Sequence, residues 1–171
     1  MKKKLILLVV LPLCLVVLGI LVIQIININK HKKQIASHKQ NLPNFEFYDL
    51  DTNKVKQTDI TNNSPVCLIY FDTDCEYCQA EAVNLHQNIK KLTGKVVMIS
   101  ANHPAQINLF KSKYQLINDT QINVLWDKDN RFRSWFDLKS IPSIFIYDRN
   151  HQLVKEYHGQ VKIEAIAKYL L

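Results

Sequence analysis

Apolar and polar positions divide the chain into four stretches. Residues 1–4 carry Lys2, Lys3 and Lys4. From Leu5 to Ile26 the run is apolar apart from Pro12, Gly19 and Gln24. Its 22 residues, rising about 1.5 Å each, are enough to cross a hydrocarbon core of about 30 Å. A cleavable signal has a shorter apolar core and small residues at its cleavage site, and no such site follows here. Leu13, next to Cys14, argues against a lipoprotein site. Residues 5–26 therefore read as an uncleaved transmembrane anchor, with a removed signal as the alternative. Residues 27–43 are Lys/Asn/Gln-rich without apolar periodicity and read as a tether, in which His31 and His38 are solvated flank residues. Residues 44–171 read as the folded domain.

Within that domain the periods alternate. Phe45–Tyr48 and a segment around Val55, separated by Asp51-Thr52-Asn53, predict a short hairpin. Pro65–Phe71 is nearly continuous in apolar residues, the pattern of a strand buried on both faces. Cys78, Ala82, Leu85, Ile89 and Leu92 then recur at helical spacing, predicting a helix over Glu76–Leu92 that Gly94 ends. Lys95–Ser100 is the next strand, and Pro104–Tyr114 a helix with its proline in the first turn. Asn123–Trp126 is a short strand, followed by a short helix with Phe132, Trp135 and Phe136 capped by Asp129. Ser143–Tyr147 and Gln152–Tyr157 form a hairpin across Asp148-Arg149-Asn150. A last helix, Val161–Leu171, buries Ile163, Ile166, Ala167 and Leu170. The order predicts an α/β fold: a central mixed sheet flanked by helices, parallel at first and ending in an antiparallel hairpin.

The formal charge of +7 does not mark a nucleic-acid binder. Residues 1–39 hold seven lysines and no acid, whereas residues 40–171 hold fifteen Lys/Arg and fifteen Asp/Glu. The excess flanks the apolar run, and no nucleic-acid partner is expected. Comparing the three N-terminal lysines with Lys30, Lys32, Lys33 and Lys39 favours neither membrane orientation.

Four cysteines are too few for a disulfide scaffold in a chain of 171 residues. Cys14 lies in the apolar run, and Cys67 in a strand reads as a small core hydrophobe. Cys75 and Cys78 remain, at a strand–loop–helix junction. There the free N–H groups and positive end of the helix stabilise a thiolate on the exposed first cysteine. The helical stripe turns Cys78 inward, so Cys75 attacks a substrate disulfide and Cys78 resolves the mixed disulfide by bonding to Cys75. No cofactor is needed beyond that redox-active disulfide. Asp72, Asp74 and Glu76 crowd the loop with negative charge that opposes a thiolate, so the disulfide is expected to be a poor oxidant.

Beyond these residues, the chain resembles the membrane-tethered, thioredoxin-fold oxidoreductases of the TlpA/ResA kind, within the broad AhpC/TSA-related redoxin group. Cys75-Glu76-Tyr77-Cys78, Ile141-Pro142-Ser143 opening a later strand, and Glu81 three residues past the second cysteine carry the likeness, over roughly residues 42–171. The resemblance implies an N-terminal hairpin and a central strand–helix insertion. It also implies a cis Pro142 beside the two sulfurs, where the Ile141 backbone pairs with an extended substrate. It gives Glu81 a role as proton handler for Cys78, against which stands a solvated helix-surface glutamate. The buried aspartate that many thioredoxins carry six residues before the first cysteine is replaced by Ile69. Tyr77 and Glu76 are expected to shape partner selectivity.

The implied partners are protein disulfide substrates, apocytochromes in cytochrome c maturation among them, and a transmembrane electron donor of the CcdA/DsbD type. The domain is then expected outside the cytoplasm, on a single-pass anchor in the cell membrane. Other readings fit less well. One CxxC supplies two of the four ligands of structural zinc, and Gln79 stands where a haem-attachment motif needs histidine. Leu68 and Asp72 replace the proline and threonine of a peroxidatic site. A tethered adaptor with a structural disulfide is the non-enzymatic alternative, and it would not turn over disulfide substrates.

Overall fold

No glycine or proline interrupts the chain between Gly19 and Pro43, so nothing in the sequence stops a helix there. In the computed structural model, which describes residues 2–62, 64–117 and 120–170 and omits the side chains of residues 2–15, 31, 32 and 38, helix α1 spans Lys2–Gln40. The stretch read as a tether is thus helical almost to its end. Among the described residues, no helix is long and apolar enough to cross a membrane. Much of the expected anchor, with Cys14, and both tether histidines fall on side chains outside that description. The chain divides into two units, Met1–Ser37 and His38–Leu171. In the first, Val16, Leu18, Ile20, Ile23 and Ile25 all stand exposed.

The second unit is built on one seven-stranded sheet in the order β2-β1-β5-β4-β3-β6-β7. Its strands are β1 Glu46–Tyr48, β2 Lys54–Lys56, β3 Val66–Tyr70, β4 Lys95–Ser100, β5 Ile122–Trp126, β6 Ser143–Tyr147 and β7 Leu153–His158. β3, β4 and β5 run parallel; β6 is antiparallel to β3, β7 to β6, and β1 to both β2 and β5. The expected thioredoxin-like fold, N-terminal hairpin and strand–helix insertion are all present.

β3 shows why its run is continuously apolar. Cys67, Ile69 and Phe71 pack on one face with Cys78, Ala82 and Leu85 of α3 (Glu76–Asn88), Ile107 and Phe110 of α4 (Pro104–Lys113), and Ile163 and Ile166 of α6 (Ile163–Ala167). Val66, Leu68 and Tyr70 pack on the other, with Phe47, Phe145, and Phe132 and Phe136 of α5 (Arg131–Phe136). Phe132 stacks on Phe136 at 4.0 Å between ring centroids and on Tyr70 at 5.3 Å.

Four local expectations need correction. A five-residue helix, α2 (Gln57–Thr61), follows β2, where no periodicity announced it. Gly94 does not cap α3, which gives way to a 3₁₀ turn at Ile89–Lys91. Gly94 instead permits close approach, because a Cβ there would lie 2.5 Å from the Pro65 carbonyl oxygen. Asp127, not Asp129, holds the start of α5, its carboxylate accepting from the Arg131 and Phe132 N–H groups at 2.9 and 2.8 Å. Asp129 pairs with Arg131. The last helix covers only Ile163–Ala167, with Lys162 in an extended conformation ahead of it.

Candidate active site

β3 delivers the chain to the C-terminal edge of the parallel strands, where the loop Phe71–Asp74 turns into α3. Short polar side chains fix that loop. The Asp72 carboxylate accepts the Asp74 N–H at 2.9 Å. Asn102, just past β4, accepts the Thr73 N–H at 3.1 Å and the Ser100 hydroxyl at 2.7 Å. From inside α3, the Gln79 amide donates to the Thr73 carbonyl at 3.1 Å. Periodicity cannot reveal Asn102 and Ser100, since they act from a strand end remote in sequence.

Cys75 is the N-cap of α3. Its sulfur accepts the Cys78 N–H at 3.4 Å, and its carbonyl accepts the Gln79 N–H at 3.0 Å. The sulfur thus occupies the position where free N–H groups and the helix dipole favour a negative charge. Cys75 is partly exposed, while Cys78 is 1 % exposed. Both are free thiols. Burial pushes the Cys78 thiol well above its ordinary range, with the hydrogen bond to Cys75 adding to it. Cys78, Ala82, Leu85, Ile89 and Leu92 are all buried, as their spacing predicts.

The Ile141–Pro142 bond is cis, and the Cys75 thiol donates to the Ile141 carbonyl at 3.6 Å. The two stretches that the resemblance brings together are therefore in contact. Glu76 and Tyr77 lie on the first turn of α3 and face outward, Tyr77 with 66 % of its surface exposed.

Glu81 is not on the solvent side of the helix. It is wholly buried, its Oε2 accepting the Val161 N–H at 3.0 Å, while its Oε1 has no partner. Burial pushes its pKa up from 4.5 to about 7, against the smaller opposing effect of the Val161 bond. Cys67 is buried behind it in β3, and its thiol is pushed up by burial and by the Glu81 charge. A carboxyl that titrates near neutrality, one helical turn from a reluctant thiol, is suited to accept that thiol's proton. The sequence placed Glu81 only at the edge of the apolar stripe. In sequence, Val161 reads only as the start of the last helix, with no sign that it reaches Glu81 from eighty residues away. Among the described residues, no group of three or more His, Cys, Asp or Glu side chains is arranged to hold a metal ion.

Known proteins resemble this chain. The thiol–disulfide oxidoreductase ResA of Bacillus cereus is 25% identical over 142 residues, 83% of this chain and 80% of ResA. A secreted disulfide oxidoreductase of Mycobacterium tuberculosis homologous to Escherichia coli DsbE superposes with a TM-score of 0.63 at 17% identity, covering 78% of this chain and 96% of the other. Peroxidoxin BcpB of the same organism gives 0.62 at 16% identity, covering 75% of this chain and 89% of its own. These structures share the thioredoxin-like fold. Residues 38–156 match the model of one family, a span that takes in the dithiol, Glu81 and the Ile141–Pro142 turn. The chain belongs to the AhpC/TSA family.

Proposed function

We propose that this chain, a thiol–disulfide oxidoreductase, is held at a membrane by residues 5–26 and reduces disulfides of proteins outside the cytoplasm. The observation that carries the reading is the asymmetry of the two sulfurs. Cys75 sits at the helix start, partly open to a partner, and Cys78 is enclosed directly behind it. A thiolate of Cys75 attacks one sulfur of the substrate disulfide, and the other substrate sulfur leaves as a thiolate. Cys78 then gives its proton to Glu81 and attacks Cys75. The Cys75–Cys78 disulfide forms, and the second substrate thiolate departs. The substrate gains two electrons, which the dithiol loses. The Ile141–Pro142 edge docks the extended substrate beside Cys75, with Tyr77 and Glu76 meeting the flanking residues.

The membrane reading is supported by the 22-residue apolar run and by the exposed apolar side chains from Val16 to Ile25. A reductant on the outer side needs electrons carried through the membrane, hence a transmembrane donor of the CcdA/DsbD type. Substrates of this chemistry include apocytochromes with oxidised haem-attachment cysteines, in cytochrome c maturation, and misoxidised envelope proteins.

The test is to express full-length Cys78→Ala in cells and search for mixed disulfides. The expected result is one or more covalent adducts with extracytoplasmic proteins, released by dithiothreitol and absent when Cys75 is also replaced. A Cys78→Ala chain that accumulates no such adduct overturns the reading.

A further inference from the structure

The two peptide groups that flank the Val161 Cα are both held by α3. The Val161 N–H donates to Glu81 Oε2 at 3.0 Å, and the Val161 carbonyl accepts the Asn84 side-chain amide at 3.1 Å. Residues 81 and 84 are three apart, so they share one side of the helix and hold the backbone of one residue on both sides of its Cα. Asn84 is itself steadied one turn on. The Asn88 amide donates to its carbonyl at 3.0 Å and to its side-chain oxygen at 3.2 Å, which leaves the Asn84 amide pointing at Val161. At the other end of the segment, the Gly159 N–H donates to the Pro142 carbonyl at 2.7 Å. Gly159 has φ +110°, a conformation open to glycine and strained for other residues. The three residues Gly159–Val161 thus strap the substrate-docking turn to the buried acid.

We infer that Asn84 is a positioning residue for resolution: by holding the Val161 carbonyl it keeps the Val161 N–H on one oxygen of Glu81 and leaves the other free for the Cys78 proton. This rests on the role given to Glu81 above. The Val161 N–H is the only hydrogen-bond donor on the Glu81 carboxylate among the described residues. Cys67 of β3 feels the Glu81 charge, Cys78 lies three residues earlier on α3, and Lys162, next to Val161 in sequence, is exposed. Without Asn84, the Val161 carbonyl loses its partner, and the backbone can turn about the Val161 Cα and shift the preceding N–H. Glu81 then loses the hydrogen bond that favours its charged form, so its proton is held to higher pH.

The experiment uses the reduced full-length chain and the aromatic disulfide dithiobisnitrobenzoate, from pH ~5 to ~9 across the Glu81 range. Attack by Cys75 releases one thionitrobenzoate and leaves a mixed disulfide. Attack by Cys78 on the Cys75 sulfur releases the second and closes the Cys75–Cys78 disulfide. The first release is the reference for each variant. In Asn84→Ala, the midpoint of the second phase should move up by about one pH unit, the size of one hydrogen bond to a charged group. Asn84→Asp, of the same size but without a donor, should move it the same way. A wild-type or lower midpoint in Asn84→Ala, while Glu81→Gln abolishes the titration, overturns the inference alone. A wild-type profile in Glu81→Gln overturns the role of Glu81 and the inference together.

Discussion

Cys78 and Glu81 are three residues apart on α3, both closed off from water, and burial disfavours charge on each of them. A thiol this reluctant to ionise gives up its proton only as it attacks, and a base three residues away is placed to take it at that moment. The same burial ties Glu81 to stability. Its pKa is about 7 in the folded chain against an ordinary 4.5, so between those values the folded state holds the extra proton. Stability is then greatest below the lower value, falls as pH rises through the window, and levels off above it. The fall attributable to Glu81 is on the order of 3 kcal/mol. Urea unfolding of the reduced full-length chain at several pH values should show this decline, and Glu81→Gln should flatten it. An equal slope in the variant would mean that another group is responsible.

At the scale of elements, the second face of the sheet depends on a short helix with a long aromatic reach. Phe132 of α5 is fully buried and touches the rings of Phe47, Tyr70, Phe136 and Phe145. Phe132→Ala should lower stability by about 3–5 kcal/mol, measured by urea unfolding. A loss below about 1 kcal/mol would show that the face repacks around the gap. Strands β3, β4 and β6 and helices α3 and α4 were legible in the sequence because long apolar runs and helical stripes fix them. The dithiol was legible because its spacing sits at a strand–helix junction. Helix α2 was not, because five residues cannot display a period. Gly94 looks in sequence like a helix stop, since a glycine needed for close backbone approach cannot be told there from one needed for a turn. Glu81 was left between two environments, as its burial depends on Val161, eighty residues away.

For the molecule as a whole, the folded portion carries no formal net charge, yet negative charge is concentrated beside the sulfur. Asp74 and Glu76 are exposed there, and neither forms an ion pair among the described residues. In general, negative charge beside a dithiol disfavours its reduced form, which gives an expectation for the redox potential. Equilibration of the full-length chain with glutathione should give a reduction potential nearer about −270 mV than about −120 mV. A value at the upper figure would remove the argument for a reductant.

One more feature bears on how such a molecule meets others. Residues 39–42 are stitched to the β6–β7 hairpin. The Tyr147 hydroxyl donates to the Lys39 carbonyl, Asn41 bridges Gln152, and the Leu42 N–H donates to the His151 carbonyl. Tyr147 lies opposite Val66, at the start of β3, whereas the dithiol follows the end of that strand. Residues 39–42 are therefore fixed at the pole of the sheet opposite the reactive sulfur, about 17 Å of strand away. A visitor can thus engage the sulfur without disturbing the stitched segment, which lies at the far end of the sheet.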